Sequence, residues 1–287
     1  MDAEPRPLLR PVEPIAVEVN GRSLIALRDP DGYCPETALV EPGAVGLLAL
    51  FDGSRTLREI QELLLRGGDG ILPIEALEEM VDALDRCLLL DNGRFAAERY
   101  ARESAFAAAP VREAAHAGAA YPEDSEGARG FLDGLLALAP EAPPRRLARL
   151  VAPHIDLRLG GEIYGHAHRA LRASGRPDVA VVLGVCHAPT AHRFVACRKD
   201  FATPFGTVRH DPVFLDSLEG RLGASLLEGQ VVHRNEHSVE FQALWLAHLW
   251  PGDPPAIVPL LVGSFHDFVA AGASPSEDRG VEAFVRA

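Results

Sequence analysis

Two apolar runs in this 287-residue chain end on histidines. "VAPHIDLRLGG" (151–161) sets His154 straight after Pro153, with Asp156 two residues on and Gly160-Gly161 opening a helix. "PDVAVVLGVCH" (177–187) sets His187 after an almost unbroken apolar stretch. Read as parallel strands of right-handed βαβ units, both runs bring their histidines to the carboxyl edge of a sheet, where open α/β sheets hold ligands. Neutral imidazole is a common metal ligand, so two at one edge can share an ion. Each is equally readable as a polar residue where a strand meets solvent.

A third histidine, His237, stands in "NEHSVEFQ", which reads as the first turn of a helix with Glu240 three residues on and on the same face. A helix N-terminus disfavours imidazolium, so a neutral His237 can accept a proton there. The alternative is an exposed histidine on a helix held by Val239, Ala243, Leu246 and Trp250. Asp156 either orients His154 or lines the pocket directly. Arg158 either neutralises an anionic substrate or pairs with Asp156. Glu236 or Glu240 could also act as base toward a metal-bound water, which gives a hydrolytic reading. The other histidines read as ordinary: His166 and His168 lie about 200° apart on a helix, and His192, His210, His233, His248 and His266 read as surface. Cys186 reads as a small buried side chain and Cys197 as core. Gly160-Gly161 lacks phosphate-loop spacing.

The elements that must position these residues fall into two groups. "VEVNGRSLIALRDPD" predicts two short strands around a glycine turn, and "EPGAVGLLALFDG" a helix with a glycine stop. "SRTLREIQELLL" opens on a Thr56/Glu59 capping box. "LPIEALEEMVDALDRCLLL" puts Ile74, Leu77, Val81, Leu84 and Leu88 on one helix face. Asn92-Gly93 then signals a hairpin. Three short helices and a hairpin predict a small winged-helix-like α+β domain over 1–104. The Ala-rich "AFAAAPVREAAHAGAAYPED" predicts a connector and the start of the following domain over 105–124. Beyond it, strands at "RLARLVAPH", "PDVAVVLGVCH" and "PAIVPLLVG" alternate with helices at "GGEIYGHAHRALRAS", "DPVFLDSLEGRL" and "EHSVEFQALWLAHLW", with a hairpin excursion at "FVACRKDFATPFGTVRHD". That alternation predicts an α/β domain over 125–287 with a mainly parallel sheet flanked by helices. "SPSEDRGVEAFVRA" begins a helix with no closing strand after it, so the pattern reads as truncated at the C-terminus.

A net charge of −13 argues against nucleic acid or an anionic membrane as the main partner. Residues 1–105 alone carry eleven Arg against twenty Asp and Glu, which argues against DNA binding by the winged-helix pattern. A hydrophobic fraction of 47% is enough for a real core. Four scattered cysteines without a CxxC pair give no disulfide framework. "MDAEPRPLLRPVEP" is no signal peptide and no apolar run reaches spanning length, so a cytoplasmic protein is expected.

Six fragments in order, "AGAAYPED", "VAPHIDLRLGGEIYGHAHRAL", "VVLGVCHAP", "FATPFGTVRHD", "EHSVEFQALWL" and "IVPLLVG", resemble the Memo family, whose bacterial and archaeal members are called AmmeMemoRadiSam system protein B. The resemblance covers about 115–263 and implies a fold like the LigB-type class III extradiol dioxygenases. His154 matches the family's first metal ligand and His187 its second. His237 matches the histidine facing the metal, where the dioxygenases keep an acid/base. Fe(II) or Cu is the implied cofactor, for oxygen-dependent chemistry on a small or peptide-borne substrate. The family's Pro-His-Ala-Gly-Tyr reads Pro-His-Ile-Asp-Leu here, which brings Asp156 to the pocket mouth. Its third metal ligand and its Ser-x-Asp-x-x-His segment lie in a C-terminal portion that this sequence does not contain. "ETALVEPGAVGLLALFDGSRTLREIQELLL…LDRCLLLDNG" loosely resembles PqqD-like domains, which implies a peptide ligand at the N-terminal domain. Radical-SAM and AMMECR-type proteins are the implied partners, and a non-catalytic binding scaffold is the alternative function.

Overall fold

The computed structural model describes residues 4–67 and 72–287, in two compact units, Met1–Ala105 and Phe106–Ala287. In the first, β1 (Glu13–Val19) and β2 (Arg22–Arg28) form the expected antiparallel pair. Asn20 (φ 51°) and Gly21 (φ 73°) both adopt the left-handed conformation that a two-residue hairpin turn requires. A third strand, β3 (Ala38–Val40), pairs with β2. Helices α1 (Ala44–Leu48), α2 (Leu57–Gly67) and α3 (Ile74–Arg86) follow. The capping box forms reciprocally: the Thr56 amide donates to Glu59 Oε2 at 2.7 Å, and the Glu59 amide to Thr56 Oγ1 at 3.3 Å. The inner faces of these helices bury Leu48, Leu57, Ile60, Leu77 and Leu84 against Leu27 of β2.

The hairpin expected at Asn92-Gly93 is absent. Asn92 instead caps a long helix, α4 (Gly93–Ala108), its Oδ1 accepting from the Phe95 amide at 3.0 Å. An Asn side chain serves a helix start as readily as a turn, and here the cap prevails. Within 105–124, α4 runs on to Ala108 and β4 (Val111–Arg112) follows.

The second unit holds α5 (Ser125–Ala137), α6 (Gly161–Ser174), β5 (Val179–Val185), β6 (Phe194–Ala196), β7 (Asp200–Thr203), β8 (Gly206–Val208), α7 (Pro212–Leu222), α8 (His237–Leu249), β9 (Ala256–Val262), α9 (His266–Ala271) and α10 (Arg279–Arg286). It is mixed α/β, but the mainly parallel sheet is not what forms. Two small mixed sheets take its place, in strand orders β5-β9-β6 and β4-β7-β8. β5 runs parallel to β9, whereas β6 returns antiparallel to it, because the excursion after His187 doubles back. β7 and β8 form the hairpin read from "FATPFGTV".

"RLARLVAPH" makes no strand. Residues 147–154 are irregular, and Val151 is 95% exposed. An apolar run becomes a strand only where a partner edge accepts its amides, and this one finds none among the described residues. His154 therefore sits on a loop.

Helix α8 is the centre of the unit. It is buried nearly all round, from Ser238 to Phe241 and from Ala243 to His248, rather than held by one apolar face. It packs against β5, β9, β7, β8, α5 and α6. Two histidines expected at the surface are in the core instead, His233 and His248. The His233 Nε2–H donates to the Val195 carbonyl at 3.0 Å, and burial favours the neutral ring. Among the described residues no helix is long and apolar enough to cross a membrane.

Candidate metal centre

His187 follows β5 by two residues, and His237 is the first residue of α8. The two meet because Gly184 in β5 lets the first turn of α8 come close. A Cβ on Gly184 would lie 2.5 Å from Ser238 Oγ and 2.7 Å from Val239 Cγ2. The Ser238 hydroxyl then donates to the Val185 carbonyl at 2.9 Å, which fastens helix to strand.

His154 reaches the same place from its loop, held by three bonds. Gln242 Nε2 of α8 donates to the Pro153 carbonyl at 3.2 Å, and the Tyr164 hydroxyl of α6 to the Ile155 carbonyl at 2.9 Å. Arg158, paired with Asp156, donates to the Ala119 carbonyl at 2.9 Å. The three predicted histidines converge accordingly. Ring centroids are 5.2 Å apart for His154–His187, 4.8 Å for His187–His237 and 6.0 Å for His154–His237. A fourth ring, His116, stands edge-on to His237 at 5.6 Å.

Glu236 underlies this cluster. Its side chain is 3% exposed and caps α8 by accepting from the Ser238 amide at 2.9 Å. It also accepts from the His187 amide at 2.9 Å and lies 3.1 Å from His187 Nδ1 and 3.2 Å from His237 Nδ1. Burial pushes its pKa upward, but the His187 and Ser238 amides and the neighbouring imidazoles outweigh that and hold it below the usual carboxylate value. Burial, countered in part by Glu236 and reinforced by the other histidines, holds His237 below the ordinary imidazole value. A neutral His237 with a free lone pair is the state suited to accepting a proton.

The two remaining predicted site residues stand apart from the rings. Asp156 is taken up by Arg158, whose hydrogen bonds hold its carboxyl below the usual range. Glu240 is fully buried on α8, where it accepts from the Arg112 guanidinium, from the Tyr121 hydroxyl at 2.5 Å and from the His116 amide at 2.9 Å. Burial first, and Glu240 second, push the Tyr121 pKa up, so the phenol stays a donor. Arg112 is itself fully buried and also donates to the His233 and Glu236 carbonyls. Glu240 thus ties the 112–121 segment to α8. Cys186, beside His187, stays a thiol, because burial pushes its pKa up to about 11.

Sequence reasoning passed over Arg112, His116 and Tyr121. All three fall in the Ala-rich stretch that reads as a connector, and the signal was there in "REAAHAGAAYPED", the segment that holds the first family-like fragment.

Three imidazoles brought together from a loop, a strand end and a helix start of an α/β unit are a donor set of the kind that can hold a transition metal. A family model described as Memo-like protein matches residues 112–273, all three histidines included. The chain belongs to the Memo family. A MEMO1 family protein of Aquifex aeolicus is 28% identical over 236 residues, covering 82% of this chain and 62% of that protein. That alignment is longer than the second unit and so reaches into the first. A MEMO1 family protein of Thermus thermophilus is 32% identical over 210 residues, and one of Methanopyrus kandleri 32% over 170. The chain spans about three fifths of the length of these relatives, at 62%, 62% and 59%.

Proposed function

We propose that this Memo-family protein is a metal-dependent oxidoreductase in which His154 and His187 hold Fe(II) or Cu. One observation carries the reading: His154, His187 and His237 arrive from three separate elements at ring separations of 4.8–6.0 Å. The donor set fits such an ion, being borderline nitrogen ligands with room for further ones. When bound, the ion supplies Lewis-acid and one-electron chemistry at open positions. His237 moves the proton, its neutral form being favoured by burial. Glu240 and Asp156 act by positioning, one through the 112–121 segment and the other through the loop that carries His154. A LigB-like arrangement of the whole domain goes with this reading. For the first unit we retain the PqqD-like reading of a docking module for a peptide or for a radical-SAM or AMMECR-type partner. Its acidic balance favours that over DNA.

The test is metal content after anaerobic purification. The parent is expected to retain Fe or Cu, and His154→Ala and His187→Ala each to lose about tenfold or more. A metal-free parent would overturn the oxidoreductase reading in favour of a non-catalytic binding scaffold. Metal that survives both substitutions would overturn the ligand assignment.

A further inference from the structure

We infer that the Asn235-Glu236-His237 tripeptide sets the tautomers of the imidazole cluster before any metal arrives. Glu236 holds the Nδ1 proton of His187 and biases His237 the same way, while the Asn235 carbonyl holds the Nε2 proton of His116.

An ionised carboxylate can only accept, through roughly four lone-pair sites. The His187 and Ser238 amides fill two of those on Glu236. The rest face His187 Nδ1, 3.1 Å from both oxygens, and His237 Nδ1, 3.2 Å from Oε1. A neutral ring carries one N–H, and a lone pair turned toward this carboxylate would meet only negative charge. The proton therefore stays on Nδ1, and Nε2 keeps its lone pair for a ligand. For His187 this is an aligned hydrogen bond; for His237 it is proximity to charge. At His116 the logic is reversed: Nε2 lies 2.9 Å from the Asn235 carbonyl, which can only accept, so the lone pair is on Nδ1.

Buried and occupied by amides, Glu236 is a positioning residue rather than a ligand, although one of its oxygens and one ring nitrogen each of His187 and His237 lie within 4.8 Å of one another. Carboxylates that fix a ligating histidine in this way contribute about 10- to 100-fold to metal affinity. That consequence rests on the metal reading above, whereas the tautomers do not.

Long-range proton–nitrogen correlation spectra of the metal-free, histidine-labelled full chain test the proposal, at a pH where the cluster is neutral. His187 and His237 should show the Nδ1–H pattern and His116 the Nε2–H pattern. In Glu236→Gln, His187 should lose its single pattern while His116 keeps its own. Either an Nε2–H pattern for His187 in the parent or an unchanged pattern in the variant overturns the proposal, and the parent spectrum decides alone if the variant does not fold. In a parallel Co(II) titration Glu236→Gln should bind about 10- to 100-fold more weakly. A parent that takes up no Co(II) removes the metal reading and leaves the tautomers to be judged by the spectra.

Discussion

Removing the Glu240 carboxylate would leave Arg112 charged, fully buried and without its ionic partner. Breaking a buried pair from one side costs about 3–5 kcal/mol. Glu240→Ala is therefore expected to lower the unfolding free energy by that amount, read as a lower urea midpoint, while the folded fraction still takes up metal at His154 and His187. Unchanged stability together with lost activity would favour Glu240 as a catalytic base instead. Nothing local distinguishes Glu240 from Glu236, since the sequence places both near His237 on one helix. Their environments differ through Arg112, Tyr121 and the His116 amide, which lie 119 to 128 positions away in the chain. Gly184-Val185-Cys186-His187 and Glu236-His237-Ser238 were legible because a strand end and a helix start are local events, whereas Pro153-His154 was read from a strand that does not form. The partners of a buried charge are not.

The elements show the same division. The capping box at Thr56/Glu59 and the Asp211 cap of α7, which accepts from the Phe214 amide at 2.9 Å, are closed within one turn and can be read from a few residues. Sheet partners depend on distant edges, which is why "RLARLVAPH" read as a strand and formed none. Between these cases stands Gly184, a local residue with a long-range purpose. Gly184→Ala forces a Cβ into Ser238 and Val239, so the first turn of α8 must shift and the 4.8 Å His187–His237 separation must grow. Overpacking of this kind costs about 1–3 kcal/mol. The expected result is weaker Co(II) binding alongside a lowered urea midpoint, both partly restored by adding Ser238→Ala. Parent-like binding by Gly184→Ala would show that helix and strand need not approach so closely.

At the scale of the molecule, the second unit leaves one face of β5 open. Val181, Leu183 and Val185 are 45%, 60% and 42% exposed, an apolar stripe on a strand whose other side is packed against α8. The core of the same unit contains buried imidazoles, which predicts that its stability falls in acid. Burial lowers the pKa of His168, stacked on Trp245 at 4.2 Å, to about 4, and that of His233 to about 4 as well. The unfolded value is 6.5. Because the folded values lie below it, the native state binds fewer protons than the unfolded chain once pH falls under 6.5, so stability is full above that pH and drops toward 4. Each ring contributes about 3 kcal/mol across the interval, from 1.36 kcal/mol per pKa unit. His237 and His248, shifted in the same direction, steepen the fall. Buried carboxylates such as Glu236 also have lowered values and act in the same direction, but they lose stability only as pH falls below about 4.5, their unfolded value. Urea midpoints measured from pH 7 to pH 5 should therefore fall steeply before any carboxylate titrates. His168→Phe, which keeps a ring against Trp245, should flatten that slope. A midpoint that stays level down to pH 5 would mean that these histidines reach solvent and charge without disturbing the core.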